Sequence, residues 1–337
     1  TMGSSNLNLR PDIVYLWVNG QDPEWQLRRE AAEKTYYGPQ SCRFSNVDGR
    51  FRDNDELRYS LRSLTPYLDQ FGRIFIVTDR QRPYWLLDHP RICVLDHCIL
   101  RDYSNSPTYS SKALEAHFDR LPVSNHFVYL NDDVFLGGGF LMEHLYDACE
   151  LKTIVHFERP EDRDPLEDVS QNAAMHISHE ILAGHFDSDK FSTQPMAHAP
   201  RYLIQTRMQA LFGTYPEAVR KARDEIFRDH AIPSVIADLY GRWMLASEQA
   251  MEKPVPHSLL SSGSPEFNDQ IDNLVDRFGS LSYFCINDTL DNSSDSHAHF
   301  SLTTSALEEL FPICSEFEIM PVAPIGDIPG IHTGILK

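Results

Sequence analysis

The chain predicts an α/β fold with a largely parallel, doubly wound sheet, and three observations carry that expectation. Short β-branched runs alternate with amphipathic stretches as far as residue 140, the pattern of successive β–α–β units. The intervening stretches place apolar residues at helical spacing, as with Leu57, Leu61, Leu64 and Leu68 in DELRYSLRSLTPYL. Polar residues stand at the carboxyl ends of the strands: Asn19, Asp79, Asp96 and Asn131-Asp132-Asp133. Open α/β sheets bind their ligands outside that edge.

Taken in order, IVYLWV (13–18) reads as a buried strand and PEWQLRREAAEKTY (23–36) as a helix. DELRYSLRSLTPYL (55–68) reads as a second helix, with Asn54 or Asp53 placed to cap it and Glu56 in its first turn. RIFIVTD (73–79) and RICVLD (91–96) read as strands. SSKALEAHFDRL (110–121) reads as a helix capped by Ser110 or Ser111, and HFVYL (126–130) as a further strand. A charged loop, ERPEDRDPLED (158–168), leads into a helix around 168–183, and residues 200–250 read as mostly helical. SYFCIND (282–288) is a late strand, TTSALEELF (303–311) a terminal helix, and PVAPIGDIPGIH an extended tail. The expected organisation is an α/β core built from 1–158 and 279–337, with a mainly helical insertion over 159–278.

Composition narrows the function. Hydrophobic residues make up 42% of the 337 positions and charged residues 23%, the balance of a soluble globular protein that can bury a large core. The net charge of −19 comes without a basic stripe, which argues against nucleic acid and anionic membranes as partners. No stretch approaches membrane-span length, and TMGSSNLNLRPD contains no apolar leader. None of the six cysteines forms C-x-x-C, and buried free thiols in a reducing compartment are the expected reading.

Several constellations can carry chemistry, each beside a structural alternative. Asp132 and Asp133 end an apolar run, where adjacent carboxylates suit Mg²⁺ or Mn²⁺ bound together with phosphates; a solvated turn is the alternative. Asn287-Asp288 repeats the design after SYFCI, so two strand ends can converge on one cation. FRDNDELR gathers Arg52, Asn54, Glu56 and Arg58 at a helix start, an arrangement for an anion or merely a capped, solvated helix. Trp17 can stack on a base or sit in the core. His198, in PMAHAP, is presented by an extended segment as a general base or fills a structural place. Arg228 can offset phosphate charge or pair with Asp229. HISHEILAGH lacks the second histidine of H-E-x-x-H, and the phosphate-loop, dinucleotide and G-x-S-x-G motifs are absent.

The order of the blocks is more specific than any one of them. DIVYLWVNGQDPEW, FRDNDELRYSLRSL with RIFIVTDRQRPYWL, SPTYSSKALEAHFDRL with HFVYLNDDVFLG, and YFCINDTLDN resemble the conserved blocks of the Stealth family. That family includes bacterial capsular-polysaccharide sugar-phosphate transferases and the catalytic subunit of the animal N-acetylglucosamine-1-phosphotransferase. The resemblance implies a Rossmann-like sheet of nucleotide-sugar transferase type with a helical insertion. It also implies metal-dependent transfer of a sugar 1-phosphate from UDP-N-acetylglucosamine to an acceptor sugar or glycan hydroxyl, with UMP leaving. Asp12 and Trp17 then hold uridine. Arg52, Asn54, Glu56, Arg58, Ser111, Glu115, Asn131 and Asn287 contact the sugar or diphosphate. Asp133 and Asp288 hold Mg²⁺, Asp132 orients the pair or contacts the sugar, His198 takes the acceptor proton, and Arg228 stabilises the phosphoryl oxygens. The large modules that interrupt the animal enzyme have no room here, so a compact bacterial form is expected. Its place would be the cytoplasm, at most peripheral to a membrane-bound polysaccharide assembly complex, with a homodimer left open. The rivals are a metal-dependent glycosyltransferase that releases UDP and a non-enzymatic sugar-nucleotide-binding module.

Overall fold

The structure, a computed structural model, describes residues 9–37, 51–101, 107–159, 165–290 and 296–320. Its first strands are β1 (Asp12–Leu16), β2 (Ile74–Thr78), β3 (Ile92–Asp96) and β4 (His126–Asn131). They are followed by β5 (Val134–Leu136), β6 (Tyr146–Asp147), β7 (Lys152–Val155) and β8 (Arg201–Ile204). The last are β9 (Ala250–Glu252), β10 (His257–Ser261) and β11 (Tyr283–Asn287). The central sheet has the order β3-β2-β1-β4-β8. Its first four strands are parallel, and β8 closes the edge antiparallel to β4. The fold is therefore α/β with a mostly parallel sheet whose strand order reverses between β1 and β4, the position where such sheets hold ligands.

Alternation along the strands builds two cores. Ile13, Tyr15, Ile74, Ile76, Val128 and Leu130 point to one face, where Leu57, Leu61 and Leu64 of helix α2 (Glu56–Leu64) cover them; α1 (Pro23–Tyr37) precedes it. Val14, Phe75, Val77, Phe127 and Tyr129 point to the other. There they meet Leu114 of α3 (Ser111–Glu115), and beyond α4 (Pro165–Leu182) they meet α5 (Gln205–Thr214) and α6 (Pro216–Asp224). A π-helical turn, Val235–Tyr240, runs into α7 (Gly241–Ala246) on the same face. Each such side chain contributes about 1.5–3 kcal/mol of burial, so the central strands are firmly held.

A second sheet, β10-β11-β5, packs beneath α8 (Phe267–Arg277) and α9 (Ser296–Leu310) around Phe135, Phe284, Leu274 and Leu307. The glycines after β5 permit its tight approach to β11. A Cβ on Gly137 would stand 2.1 Å from the Leu281 carbonyl oxygen.

Several expectations change. The stretch 159–278 is not a separate helical insertion, because it supplies β8 to the central sheet and β10 to the second. For the same reason residues 200–250 begin with a strand. The helix expected over 55–68 is α2 followed by a 3₁₀ segment, Thr65–Gln70, with Pro66 in its first turn. Its N-cap is Asp55, left-handed at φ 63°, without a side-chain cap bond, because the Asn54 side chain is spent elsewhere. Helix α3 stops at Glu115, short of the expected 121. There His117 Nδ1 donates to the Ala113 carbonyl at 2.7 Å, and a 3₁₀ turn, Phe118–Arg120, follows. Helix α9 starts earlier than expected, at Ser296. Among the described residues five cysteines are free, but only Cys285 is buried; Cys98 and Cys149 are exposed. Cys42 and the tail from 321 lie outside the described residues.

Candidate active site

The strand-end acids meet because of how β4 leaves the sheet. β4 ends at Asn131, and Asp132-Asp133 turn the chain into β5. β5 pairs antiparallel with β11, and the Ile286 amide donates to the Asp133 carbonyl at 3.1 Å. β11 ends at Asn287, beside Asp288. Both Asn-Asp ends thereby line one cleft of about 230 Å³ at the carboxyl edge of the central sheet. Trp17, just past β1, lines it as well and is 4% exposed.

One wall is aromatic. Trp25 lies 5.2 Å from Phe51 and 5.5 Å from Tyr109, centroid to centroid, and all three face the cleft beside Trp17. Such a wall suits a planar base or an apolar sugar face. The opposite side is polar: Arg52, Glu56, Ser111, His198 and Arg228 join the two Asn-Asp ends. Arg228 donates to Ser111 Oγ at 3.2 Å.

The acids are crowded. Removal from water pushes Asp132 well above the carboxylate range, and the charges of Asp133 and Asp53 add to it. Glu56 is pushed up by burial and then by Asp132 and Asp53, although Asn54 donates to it from its backbone at 2.6 Å and its side chain at 2.7 Å. Asp53 rises to about 6, chiefly by burial and then by Asp55. Oxygen donors in mutual repulsion are the chemistry that a hard divalent cation relieves, so the residues fit Mg²⁺ or Mn²⁺. Among the described residues no three His, Cys, Asp or Glu side chains form a ready ligand set.

A second cavity of about 130 Å³ continues from the first and shares Ser111, Asn131, His198 and Arg228 with it. Glu115 lines this second space, not the first. Its Oε1 accepts from Tyr129 at 2.9 Å and its Oε2 is buried without a hydrogen bond. Burial raises Glu115 to about 7 against the opposing pull of Arg201, Tyr129 and Lys112.

Three expected residues are not brought to the cleft in the expected way. Asp12 begins β1, whose ligand edge is at its other end. Its carboxylate accepts from the Arg73 amide at 2.7 Å and from the Ser124 amide and hydroxyl at 2.8 and 2.9 Å. Gly72 leaves room for it, since a Cβ there would stand 2.4 Å from Asp12 Oδ1. Arg58 turns away and donates to Glu318 at 2.7 Å, beside Arg62, which grips the same carboxylate. Asn54 does not face the cleft; it ties Glu56 to Asp288, 3.3 Å from its side-chain amide.

Asp288 also departs from the role of a simple metal ligand. Arg52 holds its Oδ2 at 2.7 Å, and the Ser262 hydroxyl and Leu290 amide each donate to its Oδ1 at 3.1 Å. Sequence reading missed the aromatic wall of Trp25, Phe51 and Tyr109, and it missed Glu158, which accepts from the His198 amide at 2.8 Å. Glu158 directly follows the apolar run TIVHF, a strand-end acid like the others, and that position was the available signal.

The exopolysaccharide phosphotransferase SCO6023 of Streptomyces coelicolor is 32% identical over 312 residues, covering 91% of this chain and 52% of that protein. The exopolysaccharide phosphotransferase CpsY of Mycobacterium leprae is 29% identical over 328 residues, covering 94% of this chain and 58% of that protein. The chain thus spans about half the length of these relatives. A crystal structure of the galactosyltransferase LgtC with donor and acceptor sugar analogues aligns with TM-score 0.44 and 8% identity over 90% of this chain and 98% of that one. Two family profiles match in order: Stealth protein CR1, conserved region 1, over residues 12–37, and Stealth protein CR2, conserved region 2, over residues 50–154. Over these two stretches the chain is similar to the conserved regions 1 and 2 of the Stealth proteins.

Proposed function

We propose that the protein is a transferase that moves a sugar 1-phosphate from a nucleoside-diphosphate sugar, UDP-N-acetylglucosamine in the first instance, to a hydroxyl of an acceptor glycan. The observation that carries this reading is the junction of the two cavities, where His198 and Arg228 line both spaces and the Asp132-Asp133 turn lines the first. The phosphotransferase names of the relatives point to the same reaction class. In this reading the aromatic wall stacks the base, and Arg52 and Arg228 flank the diphosphate. Ser111, Glu115 and Asn131 face the sugar in the second cavity, and Asn287 reaches it from the first.

In the transfer, the acceptor oxygen attacks the β-phosphorus in line with the bond to the α-phosphate. His198 removes the acceptor proton as the new P–O bond forms. The diphosphate bridge breaks, UMP carries away the electron pair, and the product is a phosphodiester. Arg228 donates hydrogen bonds to the equatorial oxygens as charge shifts onto them. Asp132 and Asp133 are the residues that would hold a divalent cation, which supplies charge neutralisation on the diphosphate. Asp288 keeps Arg52 in place and lies opposite them.

Mass analysis of products from UDP-N-acetylglucosamine and a panel of sugar acceptors tests the reading. UMP with a phosphodiester is expected. UDP with a plain glycoside would assign glycosyl transfer instead, and nucleotide-sugar binding without turnover on any acceptor would leave a binding module.

A further inference from the structure

We infer that Glu158 is the positioning residue for His198, holding the imidazole in one orientation where the two cavities meet. The inference rests on the reading of His198 as the base that takes the acceptor proton. Nothing in the sequence pattern of the family blocks points to Glu158, which lies in the charged loop after β7.

The geometry is built by backbone pairing. The Glu158 amide donates to the Pro195 carbonyl at 2.9 Å, the Ala197 amide to the His156 carbonyl at 3.0 Å, and Phe157 bridges Met196 antiparallel. That short ladder sets Glu158 beside His198. Glu158 Oε1 then accepts from the His198 backbone amide at 2.8 Å and lies 3.2 Å from its Nδ1. The Glu158 side chain is 1% exposed, and its Oε2 is buried without a hydrogen bond. A buried carboxylate is costly unless paired, and the two nitrogens that approach this one belong to a single histidine.

Burial pushes Glu158 up, but the His198 hydrogen bond and charge attraction outweigh it and hold the group below the ordinary range. The group is thus held as an anion beside the ring, with Nδ1 within hydrogen-bonding reach of it. The Gln171 side-chain amide lies 3.1 Å from the same Nδ1 and also restricts the ring. Held this way, His198 lines the junction of the two cavities. A carboxylate beside the ring also stabilises the imidazolium formed when the histidine accepts a proton.

Other charged groups face this histidine. Across the first cavity stand Arg228, Arg52, Glu56, Asp132, Asp133 and Asp288. Across the second stand Lys112, Glu115, Arg201, His230 and Asp238. His257 faces Glu158. A single isosteric change separates Glu158 from all of them, because Glu158→Gln keeps an oxygen for the backbone amide and removes only the charge.

The test compares full pH profiles of kcat and kcat/KM for wild type, Glu158→Gln, His198→Gln and the double variant, with nucleotide-sugar affinity and melting temperature measured on each. Glu158→Gln is expected to lower kcat by about tenfold or more. It should move the acid limb of the profile to lower pH, because an imidazolium without its anion loses its proton more readily. KM for the nucleotide sugar stays within about twofold, and the double variant is no slower than His198→Gln, as two groups acting as one unit require. An unshifted acid limb would overturn the inference, whether or not the melting temperature falls, since a purely structural glutamate changes stability alone. Wild-type turnover in His198→Gln would instead overturn the assignment of the base itself, and the positioning role with it.

Discussion

The two ends of β1 hold acids in opposite circumstances. At the amino end Asp12 is satisfied: two backbone amides, a hydroxyl and the Arg73 guanidinium at 3.3 Å converge on one carboxylate. At the carboxyl end, around Leu16 and the neighbouring turn after β4, Asp53, Glu56, Asp132 and Asp133 repel one another. The first arrangement stabilises the fold. The second costs stability and is kept where the sheet opens to a ligand, which is the pattern expected of a functional site. Glu318 makes the contrast sharper. Burial pushes it up, but hydrogen bonds from Arg62 and Arg58 prevail and bring it down to about 2.

The largest effect that can break this comparison is on turnover. Asp133→Ala is expected to lower kcat by about a hundredfold or more, and Asp132→Asn to do likewise while raising the melting temperature at pH 7. A variant that lost stability along with activity would mean the acids are structural. Asp12→Ala should behave in the opposite sense. It strands buried amide donors and lowers unfolding free energy by roughly 2 kcal/mol in urea titrations, with kcat of the folded enzyme unchanged. A selective loss of nucleotide affinity in Asp12→Ala would restore its place in the site.

The smaller effects lie in pH dependence, and the two classes of acid have opposite signs. Asp53, Glu56 and Asp132 are raised when folded, so the protein is stabilised below their unfolded values and loses that stability as pH rises towards about 6 for Asp53 and beyond for the others. Mg²⁺ should therefore raise the melting temperature more at pH 7.5 than at pH 5, by about 2–4 °C per kcal/mol of binding. Glu318 is depressed, so its contribution is complete above the ordinary glutamate range and is lost as pH falls towards about 2. Glu318→Gln should flatten the acid side of the stability curve and leave the Mg²⁺ response intact.

Much of this was legible beforehand. Val14, Val77 and Tyr129 sit in β-branched or aromatic runs that read as strands, and Asp132-Asp133 stood out because an apolar run stopped there. Arg58 and Asp12 were misplaced for one reason: residues two or four apart in a block point to different faces or different ends, and block similarity carries no direction. Trp25, Tyr109 and Phe51 come from separate loops and a helix start, so nothing in their spacing could gather them into a wall.

The amino-acid sequence by itself determined the parallel strands, the helix faces and the edge of the sheet where chemistry belongs, because those follow from local periodicity and strand polarity. Tertiary structure alone decided which acids are crowded and which are satisfied. It set Asp288 against Arg52, Arg58 against Glu318 and Glu158 against His198, across separations of 236, 260 and 40 residues. The charge state and direction of a side chain depend on partners that the fold, not the neighbouring sequence, brings within hydrogen-bonding distance.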